Sequence, residues 1–163
     1  MKRIYSTILT IFIAVSALAQ GWPENYGGVM LQGFYWDSFK DSKWKTLEAQ
    51  ADELAQYFNL IWVPQSGKCN EAKNMGYTPV YYFNQNSSFG TEAELRSMIS
   101  TFKSKGLGTI ADVVVNHRNN IGVGGSWVDY PAETYNGVTY QMKSTDICAD
   151  DDGGKTKTWA TAN

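Results

Sequence analysis

Thr109-Ile110-Ala111-Asp112-Val113-Val114-Val115, running into Asn116-His117, is the stretch on which the fold turns. Its β-branched residues show almost no polar alternation, the pattern of a strand covered on both faces, as in a parallel sheet. Asp112 alone interrupts it. A strand is therefore expected over residues 109–115. Working outward, Thr91 and Glu94 have the spacing of a capping box, in which each side chain bonds the other residue's backbone N–H. Leu95, Met98, Ile99 and Phe102 follow at helical spacing, which predicts a helix ending near Gly106.

Further upstream the same alternation repeats. Leu60-Ile61-Trp62-Val63 is a short apolar run stopped by Pro64, which has no N–H for a sheet ladder. Before it, Trp44, Leu47, Ala51, Leu54 and Phe58 recur every three or four residues, with Lys45, Glu48, Asp52 and Glu53 between them. This predicts one helix capped by Asp41 or Ser42. Residues 29–34 form the first apolar run. Strand, helix, strand, helix, strand is the order of a parallel α/β fold, though it does not separate a barrel from a doubly wound sheet. No G-x-G-x-x-G follows the first strand, and Trp127 stands where the last glycine of the Gly122, Gly124 run would fall. Dinucleotide binding thus loses its main support.

Two segments lack any period. Residues 65–90 are rich in Asn, Ser, Gly and Tyr, and a loop of that length inside a compact domain usually carries function. From Arg118 onward Trp127, Tyr130, Tyr135 and Tyr140 are scattered among Gly, Asn, Asp and Thr, so an irregular excursion is expected to the end. With 163 residues, 43% of them hydrophobic, and a net charge of -2, the chain has no basic footprint for nucleic acid. Its six Trp, ten Tyr and seven Phe exceed the needs of a core and suggest rings on a ligand surface.

Lys2 and Arg3, the apolar run 8–18 and Ala17-Leu18-Ala19 have the layout of a signal peptide. Cleavage after Ala19 would leave an exported protein with no membrane anchor. Cys69 and Cys148 are open to pairing or to remaining free, and with the single histidine His117 they offer too few ligands for zinc.

Residues 111–117, Ala-Asp-Val-Val-Val-Asn-His, closely resemble the first conserved region of the α-amylase family of glycoside hydrolases. Residues 29–38, Val-Met-Leu-Gln-Gly-Phe-Tyr-Trp-Asp-Ser, resemble the opening strand of plant-type and related bacterial members. Gly76-Tyr77-Thr78-Pro79 and Phe89-Gly90 resemble the loop after strand two, and residues 146–151 resemble part of the subdomain inserted after strand three. Phe83-Asn84-Gln85 departs from the pattern, standing where relatives often carry acidic residues, and is assigned no role.

The resemblance implies strands 1 to 3 of a (β/α)8 TIM barrel plus the start of the inserted subdomain. Residues 1–19 would be the signal peptide, 20–116 the first part of the barrel and 117–163 the start of the subdomain. The implied activity of the whole protein is α-amylase, the retaining endo-hydrolysis of α-1,4-glucosidic bonds in starch or malto-oligosaccharides. Another α-glucan-active enzyme of the family, or a non-catalytic glucan-binding protein, is the alternative. Retaining cleavage needs two carboxyl groups about 5 Å apart. No segment here matches the family regions that supply them, so they are expected beyond Asn163 and these residues alone are expected to be inactive.

By the same resemblance Asn116 is a calcium ligand, with Asp150 and Asp151 as the nearest acidic candidates. His117 would donate a hydrogen bond from a neutral imidazole to a glucose hydroxyl, and Tyr77 would stack on the same sugar. Asp112 is implied to be an inward strand residue that orients its neighbours and is not the nucleophile. The implied protein is secreted, calcium-dependent and monomeric.

Overall fold

The computed structural model describes residues 25–118, 130–143 and 146. The expected signal peptide, Cys148, Asp150 and Asp151 lie outside them. Strands β1 (Met30–Gln32), β2 (Leu60–Val63) and β3 (Gly108–Ala111) pair in parallel in the order β1-β2-β3. Helices α1 (Trp44–Ala49) and α2 (Ala51–Tyr57) connect β1 to β2, and α3 (Glu92–Ser104) precedes β3. The βαβαβ order expected from the sequence is present.

Side chains alternate across a strand, so the register decides which residues share a face. Leu31, Ile61 and Thr109 lie in one row and Gln32, Trp62 and Ile110 in the next. Ile61 and Val63 are buried in one core with Trp44, Leu47 and Ala51 from the first helical pair and Leu95, Met98 and Phe102 from α3. Leu31 packs on that core. The opposite face is less covered: Met30 is exposed and Leu60 and Ile110 are half-buried.

Several local expectations need correcting. The first helix is two, parted at Gln50 (φ -91°, ψ 0°), although the apolar spacing runs on through the break. Neither Asp41 nor Ser42 caps it. Lys43 holds the cap position without a side-chain bond, and the Trp44 N–H is satisfied by the Phe89 carbonyl (2.9 Å). The Asp41 carboxylate is engaged instead by the Tyr35 hydroxyl. In α3 the capping box forms, with Thr91 N–H donating to Glu94 Oε2 (2.8 Å) and Glu94 N–H to Thr91 Oγ1 (3.3 Å). The helix closes where expected, through N–H bonds from Gly106 to the Lys103 carbonyl and from Leu107 to the Phe102 carbonyl, the two bonds of a Schellman motif. Ile99, expected in its apolar stripe, is exposed.

The largest correction concerns the decisive stretch. β3 ends at Ala111, and Val113 and Val115 are 66% and 80% exposed. The cause lies in the neighbour: Ala111 is paired with Val63, after which Pro64 ends β2. Asp112 N–H makes one more bond, to the Val63 carbonyl (3.3 Å), and beyond it the ladder has no partner. Asp112 therefore follows β3 and is not a residue within it. The excursion after Arg118 is also not wholly irregular. Strands β4 (Glu133–Tyr135) and β5 (Val138–Tyr140) form an antiparallel hairpin. It turns on Asn136 (φ 50°) and Gly137 (φ 77°), the two left-handed positions of a type I′ turn. Among the described residues no helix is long and apolar enough to cross a membrane.

Candidate active site

Parallel strands place their carboxyl ends along one edge, and in parallel α/β folds that edge carries the site. The chain leaves β1 through residues 33–36, β2 through Pro64 and Gln65, and β3 through residues 112–118. Gln65 is buried at the end of β2 and organises the long loop. Its Nε2 donates to the Gly76 carbonyl (3.1 Å) and its Oε1 accepts from the Gly67 N–H. Gly76 has φ 97°, and a Cβ there would stand 2.7 Å from the Gln65 backbone carbonyl oxygen, so this approach admits no side chain.

The return of the loop at Gly76 carries Tyr77 to the end of β3. The Tyr77 hydroxyl donates to Asp112 Oδ2 (3.2 Å). Its backbone carbonyl lies 2.8 Å from His117 Nε2. Tyr77, Asp112 and His117, singled out separately in the sequence, are thus joined. Burial first, then the Asp112 charge and hydrogen bond, raise the Tyr77 hydroxyl above its ordinary pKa, which keeps it a donor.

The His117 contact fixes a tautomer, because a carbonyl can only accept. Nε2 must carry the proton, and in a neutral ring Nδ1 is then an acceptor. The expectation that a neutral His117 donates to a sugar hydroxyl is revised accordingly: the neutral ring has its donor engaged with Tyr77 and offers Nδ1 as an acceptor.

Two contributors were missed in the sequence. Trp36, 71% exposed, lies nearly parallel to Tyr77, with ring centroids 6.0 Å apart and 7° between planes. Its position directly after the first apolar run was the available signal. Arg118, next to His117, is buried against the loop and the hairpin. Two near-parallel rings beside hydrogen-bonding groups suit a ligand with an apolar face and a hydroxylated rim, which is the surface of a pyranose.

Asn116 is exposed on the segment between β3 and His117, and its side chain makes no hydrogen bond among the described residues. A cleft of about 260 Å³ lined by Lys68, Cys69, Glu71, Asn86 and Ser88 includes none of the site residues. Among the described residues Cys69 is a free, buried thiol, and burial raises its pKa, which favours the protonated form.

These groups lie together at the strand ends of a parallel α/β fold, and relatives found by sequence are named as α-amylases. α-Amylase 3 of Arabidopsis thaliana, a chloroplastic enzyme, is 36% identical over 92 residues, which is 55% of this chain and 10% of the relative. The α-amylase of Bacillus licheniformis is 28% identical over 131 residues, 72% of this chain and 26% of that one. The chain therefore spans between a tenth and about a quarter of the length of these relatives. No family model matches it. Among solved structures, the E249Q mutant of α-amylase I from Eisenia fetida, in complex with maltohexaose, superposes with a TM-score of 0.46 at 24% identity, over 58% of this chain and 18% of that one. That superposition is too loose to bear on the fold. In sequence, part of this chain is similar to α-amylases.

Proposed function

We propose that the whole protein is an α-amylase, a retaining endo-hydrolase of α-1,4-glucosidic bonds in starch and malto-oligosaccharides. β1, β2 and β3 would be the first three strands of its (β/α)8 barrel. The observation that carries this reading is the convergence of Tyr77, Asp112 and His117 at the strand ends, with Trp36 stacked alongside. In this reading the rings of Tyr77 and Trp36 receive the C–H faces of glucose units. His117 offers Nδ1 to a sugar hydroxyl, and Asp112 orients Tyr77 and takes no part in bond cleavage. The two carboxyl groups that attack and protonate would stand on later strands of the barrel.

Calcium belongs to the same proposal. Asn116 fits it, since its amide oxygen is a hard donor, exposed and unbonded among the described residues. Asp150 and Asp151 would join it. A cation held by these residues would tie the segment after β3 to the barrel and stabilise the native state by mass action. Export after cleavage at Ala19, and a monomeric state, complete the reading.

The test is the full-length protein on starch, with His117→Ala beside the wild type. Wild type should release reducing sugar as internal cuts, and His117→Ala should lower kcat by about 10²-fold, the scale for one lost transition-state hydrogen bond. Chelator should lower the melting temperature. A folded His117→Ala enzyme with unchanged kcat removes the assignment of His117, and a melting temperature indifferent to chelator removes calcium.

A further inference from the structure

Arg118 is the residue after His117, and its side chain is only 7% exposed, a rare state for a charged group without a partner. Its guanidinium carbon lies 4.3 Å from the ring centroids of both Tyr82 and Tyr130. One Nη donates to the Val80 carbonyl and stands 3.6 Å from Glu133 Oε2. Glu133, equally buried, accepts backbone N–H bonds from Tyr82 (2.9 Å), Phe83 (2.9 Å) and Asn84 (3.3 Å). Tyr130 returns a bond from its hydroxyl to the Arg118 carbonyl (3.0 Å). Phe83 closes the junction by stacking on Tyr135 (4.9 Å between centroids) and leaning on Tyr140 (5.3 Å). Three segments therefore meet at one ion pair: the chain after β3, the loop after β2 and the hairpin.

The junction bears directly on His117. Two successive residues donate to carbonyls three apart in the facing loop, His117 to Tyr77 and Arg118 to Val80. The His117 ring is exposed and makes one hydrogen bond among the described residues, so its direction depends on where the backbone of residues 117 and 118 is held. Arg118 supplies that hold through a planar group that both stacks and bonds, which lysine cannot reproduce. A buried ion pair adds little net stability compared with an apolar replacement, and fixing one arrangement is its better-attested use.

We propose that Arg118 and Glu133 are positioning residues for His117: they lock the segment after β3 to the Tyr77 loop so that the imidazole meets the sugar at a set angle. This rests on the sugar-contact reading of His117 given above. It assigns work to Phe83-Asn84, since the backbone N–H groups of this stretch take up the Glu133 carboxylate.

The experiment uses full-length protein carrying Arg118→Ala, Arg118→Lys, Glu133→Gln, His117→Ala and the double change His117→Ala with Arg118→Ala. Folding is checked by circular dichroism, and kcat and KM are measured on malto-oligosaccharide well below the melting temperature. Arg118→Ala should lower kcat by roughly tenfold with little change in KM, because small misplacements of a reacting geometry act on turnover. Arg118→Lys should restore only part of this. In the His117→Ala background the Arg118 change should have no further effect on kcat, a non-additivity that a general loss of stability does not produce. Hydrogen exchange should rise in residues 77–84 and 113–118 for both Arg118→Ala and Glu133→Gln. The proposal is overturned by an equal kcat loss in both backgrounds, or by a lowered melting temperature with unchanged kcat. Should the wild type cleave no glucan, the functional reading fails separately. Exchange then decides the junction alone, and unaltered exchange in both variants ends it.

Discussion

The two faces of the three-stranded sheet are finished to different degrees. On the helix side, Trp44, Ile61, Met98 and Phe102 are wholly excluded from solvent. On the other side Met30 is half exposed, and past the end of β3 Val113 and Val115 stand in solvent. Both sets are apolar, so hydrophobicity alone does not decide burial. The helix side is complete because every layer it needs lies within residues 30–111, each element adjacent in sequence to the one it covers. The valines after β3 have no partner strand once Pro64 has ended β2, and nothing among the described residues lies over them.

The widest test of that contrast is a set of three substitutions in the full-length protein. Phe102→Ala should cost about 3–5 kcal/mol, the range for truncating a buried aromatic in a packed core. Val113→Ala and Val115→Ala discriminate. Left as exposed as they are here, each should shift stability by no more than about 0.5 kcal/mol. Covered by the remaining strands of the proposed barrel, each should cost roughly 1–3 kcal/mol. The covered value is expected. Chemical denaturation of the three variants measures it, and two neutral valines would count directly against a closed barrel.

The same contrast explains what the sequence disclosed. Capping box, helix end, β2 and the long loop were legible because each is encoded within a few residues: Thr91 with Glu94, Gly106 after the stripe, Pro64 after Val63. The meeting of Tyr77, Asp112 and His117 was legible in part, since parallel strands bring their ends to one edge whatever lies between. The length of β3 was overestimated because β-branched composition reports a preference for strand, and pairing depends on a neighbour elsewhere in the chain. The Arg118 and Glu133 junction left no local trace, as the two are far apart in sequence and Val80, which accepts from Arg118, lies 38 residues before it. One signal was present and unread: Asn136-Gly137, set between Glu133-Thr134-Tyr135 and Val138-Thr139-Tyr140, is a strong short-range hairpin pattern.

Gly137→Ala tests that hairpin. A Cβ at Gly137 would meet nothing within 4 Å, so any cost comes from the backbone alone. At φ 77° a residue with a side chain loses about 1–2 kcal/mol relative to glycine. Melting of the full-length protein should shift down accordingly, with faster hydrogen exchange in residues 133–140. A rise in stability, the usual result of Gly→Ala at a compatible site, would mean that the turn is not left-handed.

The smallest effect belongs to the finished layer, at the start of α3. Thr91→Ala removes the Oγ1 that accepts the Glu94 N–H and should cost about 1 kcal/mol. Glu94→Gln is subtler, because an amide oxygen still accepts from the Thr91 N–H and only the charge is lost. That charge has a pH signature. The Thr91 N–H bond first, and then Lys45 at 3.0 Å, hold the Glu94 carboxyl below its ordinary value of 4.5. A carboxyl with a depressed folded-state pKa binds its proton more weakly folded than unfolded. Its contribution is therefore present above the unfolded value and disappears as pH falls through the folded one. The group is partly open to solvent, so salt should weaken the effect further. Wild type should melt slightly above Glu94→Gln at neutral pH and low salt, with the gap closing below about pH 4.5 as the carboxylate takes up its proton. A gap of constant size from pH 7 to pH 3 would mean that the Glu94 charge contributes nothing, and that the box works through its neutral hydrogen bonds alone.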